Sequence, residues 1–486
     1  MIKNLLILFV FISMLIINSC NNYKEELWEL VSPSGELMIR IELSTGEPSG
    51  RLYYSIYYLE NEKEIIAIKK SPLGIINSKS DFTGSLEAVG SSMPHIKNFN
   101  YQMTTGKRKV NITSANCMEI EFLNSEKDTL IMKTMAFNDG IAFSYSIPGS
   151  GDLISIIDEI TGFNIDPAGK AWIQPYDTVS ANSFSYESGY INEMNIGLSS
   201  PNQVGWGFPA LFKSNGLWIL ISEAGLNENY FEAHLSSDCK NGEYKIKYPS
   251  EKESLGSGSL QTKMRIPLST PWRLVMVGKT LAPIVESNIV YHLSQPSIIK
   301  DTMWSYAATD FGKVALLQNT IYPFTSNIIG RMDYTPVTIT IDQDNDHLSS
   351  NAHELALSII FENGILLFAD RMNSYDLPVK VIDFIKTVPV AWDNTWLLDG
   401  YPGKFVVLGR ENNEMYFIAG INGEDNFRET KLIPGFLNDS IYNARLITDA
   451  ADQKIFNIID FEYVRGDTMS INMYNNGGFV LTLGKK

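Results

Sequence analysis

Three groups of residues in this chain have types and spacings that could do chemistry. The first is an acidic run, Asp342-Gln343-Asp344-Asn345-Asp346, which begins like a helix-loop-helix calcium loop. Such a loop needs glycine at its sixth position for a sharp turn and a bidentate glutamate at its twelfth. His347 and His353 occupy those positions, so a solvated acidic loop is the expected reading. The second group is His353-Glu354, which lacks the second histidine of a His-Glu-x-x-His zinc pair. His95, His234, His292 and His347 show no paired spacing, and there is no Cys-x-x-Cys pair. A Gly-x-Ser-x-Gly elbow and a phosphate-cradling glycine loop are both missing. The third group is aromatic, with 23 Tyr, 24 Phe and 8 Trp. Sugars can lay their apolar faces on such rings. Trp172, Tyr176, Trp206 and Trp218 are candidates for that contact, against the commoner use of such rings in a core.

The amino terminus has chemistry of its own. Lys3 precedes an apolar run from Leu5 to Ile17, broken only by Ser13 and too short for a comfortable membrane span. The run ends at Asn18-Ser19-Cys20, as at a bacterial lipoprotein cleavage site. Cleavage before Cys20 and lipidation of its thiol are expected, although Asn18 is unusual there. The alternative is an ordinary signal peptide with an incidental cysteine. An acylated end would hold the protein on a membrane of the cell envelope, on the periplasmic or outer-membrane side, by hydrophobic transfer alone. Cys117 and Cys239 remain and could pair in an oxidising compartment, but two distant cysteines argue this only weakly.

The bulk properties exclude some partners. Of 486 residues, 39 are basic and 55 acidic, for a formal net charge of -16. That balance argues against nucleic acid, which needs a basic face, and against electrostatic adsorption to anionic lipid. Neutral ligands are compatible with it.

The elements that must position these groups are mostly strands. Leu37, Ile39, Ile41 and Leu43 alternate with Met38, Arg40 and Glu42; Met118, Ile120, Phe122 and then Ile141, Phe143, Tyr145 form similar sets. Period-two spacing places one face on a core and the other toward water. Turn clusters such as Ser44-Thr45-Gly46-Glu47-Pro48-Ser49-Gly50 punctuate the runs. A mainly β fold is expected. After a signal peptide at 1–19, a large antiparallel sandwich spans 24–290. The segment 291–387 changes character. Ala352 to Phe368 is apolar on nearly every side, as in a helix covered all round, and Pro378 opens a second helix. From 388 to 486 a smaller sandwich is expected. Its strands include Phe405–Leu408, Met415–Ile418 and Phe479–Thr482, with turns at Gly420, Asn422-Gly423 and Asn476-Gly477-Gly478.

Taken in order, several segments resemble glycoside hydrolase family 97, bacterial α-glucosidases and α-galactosidases of starch-utilisation type. They include Ser71-Pro72-Leu73-Gly74, Phe137-Asn138-Asp139-Gly140, Ser222-Glu223-Ala224-Gly225-Leu226 and Thr270-Pro271-Trp272-Arg273. Further on come Tyr322-Pro323-Phe324-Thr325-Ser326-Asn327, Met332-Asp333-Tyr334-Thr335-Pro336, His353-Glu354-Leu355-Ala356-Leu357-Ser358 and Leu398-Asp399-Gly400-Tyr401-Pro402-Gly403. The resemblance implies an N-terminal β-sandwich, a central (β/α)8 barrel and a C-terminal β-sandwich. A complete barrel needs about 250 residues. The middle here has roughly 100 by the boundaries above, so only a short α/β remnant is expected, with the gap between about Ser305 and Asn319.

The missing barrel segments are the ones that the resemblance makes catalytic. Glycoside hydrolysis needs one carboxyl group to protonate the leaving oxygen and another to activate water or attack carbon. By resemblance Asp333 lies near the barrel mouth, where it is read as structural or substrate-positioning and only as a weak catalytic candidate. The resemblance also makes Glu223 a calcium ligand, yet the family's other glutamate ligands fall in the missing segment. One carboxylate cannot hold an ion that wants six to eight oxygens, so calcium is expected in the family and not here. Tyr176, Trp206 and Trp218 lie in the region that borders the family's active site, and binding could outlive catalysis. The expectation is an envelope lipoprotein linked to α-glucan or α-galactoside use and catalytically inactive. The alternatives are a carbohydrate-binding module, an active α-glycosidase with a rebuilt site, and a non-functional deletion product whose apolar helix at 352–368 and strand edges lie exposed.

Overall fold

The computed structural model describes residues 26–46, 49–176, 189–226, 230, 232–249, 264–294, 304–305, 313–333, 339, 348–364, 368 and 377–486. Cys20 and the acidic run Asp342–Asp346 with His347 lie outside the described residues.

The N-terminal part is two facing antiparallel sheets. One has eight strands and runs Glu26–Val31, Leu37–Leu43, Leu52–Glu60, Lys63–Leu73, Gly162–Asn164, Glu243–Lys247, His234–Ser236, Gly205–Trp206. The other has eleven, and its centre is Ala210–Ser214, Leu217–Ala224, Trp272–Gly278, Gly140–Ile147 and Thr129–Ala136. Alternation puts Leu37, Ile39, Ile41, Ile120, Phe122, Ile141, Phe143 and Tyr145 into the core between the sheets, as their spacing predicts.

The expected solvent face is lost at the centre of the larger sheet. All eight residues of Gly140–Ile147 and all eight of Leu217–Ala224 are buried. Ala142, Trp218, Leu220, Leu274 and Met276 point away from the first core into a second one. A sheet buried on both faces has no polar side for a period-two pattern to report.

The second core holds the middle of the chain. Two short helices at Ala282–Val285 and Ile289–Leu293, which the sequence pattern does not announce, begin it. Further short helices lie at Lys313–Asn319 and Ser326–Ile329. The apolar helix runs Asn351–Ile360, shorter than the expected 352–368, and every one of its residues is buried. Ser350 caps it by accepting the His353 backbone N–H at 3.0 Å. Val379–Thr387 follows Pro378, whose carbonyl accepts from the N–H groups of Val381 and Ile382. Among the described residues no helix is long and apolar enough to cross a membrane.

The C-terminal part is a six-stranded antiparallel sheet in the order Asn394–Tyr401, Phe405–Asn412, Met415–Asn422, Gly478–Lys485, Ile441–Asp449, Phe456–Val464. A two-stranded sheet, Arg428–Leu432 with Met469–Met473, covers one face. Val406, Leu408, Phe417, Ala419 and Val480 on the other face join the second core, against the apolar helix. That helix packs on the C-terminal sheet with every residue buried, and the exposure expected of a deletion product does not occur there. Gly420, expected at a turn, lies inside the strand Met415–Asn422. A Cβ there would meet Phe479 Cε1 at 2.4 Å, so close packing requires the glycine. Cys117 and Cys239 do not pair; they are free and buried in different cores.

Candidate functional site

Glu223 and Arg273 stand directly opposite each other on neighbouring strands of the larger sheet. Both face the space between the sheets, where Glu159 arrives at the end of the short strand Ile156–Glu159. Arg273 Nη1 donates to Glu223 Oε2 at 2.6 Å. Its Nε donates to Glu159 Oε1 at 3.0 Å and its Nη2 to Glu159 Oε2 at 2.6 Å, a bidentate fork. Tyr248, just beyond a strand of the opposite sheet, donates its hydroxyl to Glu159 Oε2 and meets the Tyr230 hydroxyl at 2.8 Å. The side chains of Arg273, Glu159 and Glu223 are 1%, 0% and 4% exposed.

One guanidinium thus faces two carboxylates. Glu159 takes the fork, and Glu223 receives one guanidinium bond and the Ala233 backbone N–H at 2.9 Å. Burial pushes the Glu223 carboxyl up to about 8, against the opposing pull of Arg273. Near neutral pH much of Glu223 carries a proton, which removes the excess negative charge from the cluster.

This geometry bears on calcium. Each Glu223 oxygen already accepts a hydrogen bond, one of them from a cation. Among the described residues no group of three or more His, Cys, Asp or Glu side chains is placed to hold a metal ion. The described residues do not fit a calcium ion, which wants six to eight oxygens.

The middle segment contributes one parallel strand pair, Trp304–Ser305 with Met332–Asp333, in which Ser305 stands opposite Asp333. This placement concerns the Asp333 backbone alone. The Met332 N–H donates to the Glu362 carbonyl at 2.7 Å. The Glu362 carboxylate is engaged by Arg410 Nη1 at 2.6 Å, and Arg410 Nη2 reaches the Ile360 carbonyl at 3.2 Å. Nearby Lys107 is buried, donates to the Ser287 carbonyl at 3.3 Å and is pushed down to about 8 by burial. These groups stitch the three parts of the chain together.

The candidate sugar-stacking rings all lie within packed clusters. Trp206 is completely buried in the first core. Tyr176 stacks on His234 with centroids 3.9 Å apart and planes 5° apart. Trp218 is 6% exposed, lies 5.3 Å from Trp172 and 5.6 Å from Tyr401, and carries the Lys213 amino group over its ring. Trp172 Nε1 donates to Asn192 Oδ1 at 2.7 Å and to the Pro402 carbonyl at 3.2 Å, which joins the two sandwiches directly. Sequence reasoning misses Glu159 and Arg410. Each is an ordinary charged residue in its strand, and its partner lies far away in sequence.

Comparison with known proteins places this arrangement. Residues 30–296 match the family model "Glycosyl-hydrolase 97 N-terminal", and residues 391–484 match "Glycosyl-hydrolase 97 C-terminal, oligomerisation". A Streptomyces bingchenggensis protein named "Probable retaining alpha-galactosidase" is 35% identical over 33% of this chain and 24% of its own length. The "Retaining alpha-galactosidase" of Bacteroides thetaiotaomicron is 22% identical over 38% of this chain and 29% of its own. The chain thus aligns with less than a third of either relative. In fold, it is similar to a β-arabinopyranosidase crystal structure, with TM-score 0.83 and 18% identity over 94% of this chain and all of that one. A family 97 enzyme from Pseudoalteromonas sp. strain K8, solved with panose, gives TM-score 0.78 and 16% identity over the same shares. At such identities the likeness concerns the fold. The N-terminal match covers more than half of the residues, and on that ground the chain belongs to glycosyl-hydrolase family 97.

Proposed function

We propose that this chain is an envelope lipoprotein of the family, linked to α-glucan or α-galactoside use and without glycosidase turnover of its own. The observation that carries this reading is the middle of the chain. Between Ser294 and Asn394 the described strands are a single parallel pair of two residues each, beside one isolated bridge from Ala391 to Gly106. An eight-stranded barrel needs about 250 residues, and its catalytic carboxyls sit at the strand ends. Among the described residues the buried carboxylates have partners: Glu159 and Glu223 have Arg273, Glu362 has Arg410, Glu354 has the Ser349 hydroxyl, and Asp449 accepts from the Ala352 and Gly478 backbone N–H groups. The substrate class rests on the two α-galactosidase relatives and on the Pseudoalteromonas enzyme, solved with panose and with acarbose. The lipid anchor rests on Cys20 and its preceding apolar run. A role in holding oligosaccharide is favoured over a relic, because the apolar helix is buried rather than exposed.

The test uses purified protein with aryl α-galactoside and aryl α-glucoside, with and without calcium. No turnover above buffer is expected, and retardation in gels containing maltooligosaccharide or galactoside polymer is expected. Turnover that disappears on Asp333→Asn would overturn the inactive reading.

A further inference from the structure

The outer face of the eight-stranded sheet carries a cavity of about 430 Å³, lined by Arg51, Tyr53, Pro72, Thr83, Ile160 and Lys245. Strand register explains its shape. Tyr53 pairs with Pro72, and Gly162 on the next strand pairs with Lys245, so the four residues form a row across adjacent strands. Their chain neighbours Tyr54, Phe163, Tyr244 and Ile246 point into the first core, which turns this row outward. Gly162 leaves a trough in the row, and a Cβ there would lie 2.9 Å from Pro72 Cδ. An aromatic ring and a proline ring flank the trough, and two cations stand at its sides.

The charge of the cavity is opposite to that of the protein. Among the described residues no carboxylate lines it, although the chain carries a formal charge of -16. Lys70, whose amino group lies 5.0 Å from the Tyr53 centroid, is paired with Glu42 at 2.5 Å. Arg51 and Lys245 have no carboxylate partner among the described residues, and both are exposed. The volume falls within the usual range of small-molecule sites, roughly 300–1,000 Å³. We propose that this outer-face cavity binds an acidic saccharide, with a uronic acid carboxylate between Arg51 and Lys245 and its sugar ring against Tyr53 and Pro72. The site is separate from the shortened middle and does not depend on the α-glycan reading.

The test is titration calorimetry of the full chain with digalacturonate, maltose and acetate. Digalacturonate binds more tightly than either of the others and is weakened by added salt, as a charge-assisted contact requires. The double variant Arg51→Ala/Lys245→Ala, made at exposed positions, weakens digalacturonate by at least about tenfold with an unchanged melting temperature. Tyr53→Ala weakens digalacturonate and leaves acetate unchanged. Absence of digalacturonate binding, equal affinity for acetate, or indifference to the double variant would each overturn the proposal. Hydrolysis of neutral α-glycosides would sink the reading of catalytic silence and leave this site untouched.

Discussion

Arg273 Nη1 lies 2.6 Å from Glu223 Oε2, on the cross-strand pair that the sheet register places face to face. The residue that family resemblance assigns to calcium therefore already has a cationic partner in this fold. The guanidinium also holds Glu159, so three ionisable side chains from distant parts of the chain share one dry pocket.

Removing the guanidinium leaves the buried Glu159 carboxylate without a countercharge and Glu223 without one of its two hydrogen-bond donors. Arg273→Met should cost about 3–5 kcal/mol, the usual scale for breaking a buried ion pair. Arg273→Lys keeps the charge, loses the fork and should cost less. Thermal unfolding followed by circular dichroism checks this. A loss below about 1 kcal/mol for Arg273→Met would show that the cluster is not an electrostatic unit.

Glu223 should make stability fall as pH rises. Its folded carboxyl is raised from the ordinary 4.5 to about 8, so the folded protein keeps a proton that the unfolded chain has released. The stabilisation is complete below about pH 4.5 and is lost by about pH 8. Glu223→Gln keeps an acceptor for Arg273 and should flatten that slope, which runs at roughly 1.4 kcal/mol for each pH unit inside the window. Urea midpoints at a series of pH values measure it, and parallel slopes for the two proteins would refute it.

His292 should act in the opposite direction. It contacts the Tyr101 hydroxyl at 2.6 Å and packs on Phe99 and Phe137. Burial, helped by Arg108, pushes it down from 6.5 to about 4. The unfolded chain takes up the proton first, so stability is lost as pH falls through about 6.5 toward 4. His292→Phe should make acid unfolding shallower in that window, whatever its effect at neutral pH.

Calcium should not stabilise this protein. An ion that binds the folded state raises the melting temperature by mass action. Millimolar calcium and excess chelator should give the same melting curve. A rise of several degrees with calcium, reversed by chelator, would show that Glu223 finds further ligands.

Gly420 and Phe479 should couple. Gly420→Ala places a methyl against the Phe479 ring and should cost about 1–3 kcal/mol by overpacking. Phe479→Leu should recover part of that loss in the double variant, a result that additivity would exclude.

Much of the architecture is legible along the chain. The period-two runs at Leu37–Leu43 and Met118–Phe122 mark strands because each has one face against the first core. The Ala352–Ile360 run marks a buried helix because nearly every side of it is apolar. Gly140–Ile147 is only half legible, since its second face meets a second core and carries no polar alternation. Gly420 misleads because a glycine required by a neighbouring ring looks, in one dimension, like a glycine required by a turn.

By itself, the sequence determined the local matters: strand and helix periods, net charge, and a middle too short for a full barrel. These depend on neighbours along the chain and on length. Only the tertiary structure decided that Glu223 faces Arg273, that Trp206 is wholly buried while Tyr53 opens onto a cavity, and that the shortened middle becomes a filled layer between two sheets. Those outcomes depend on contacts between residues far apart along the chain, which no local spacing encodes.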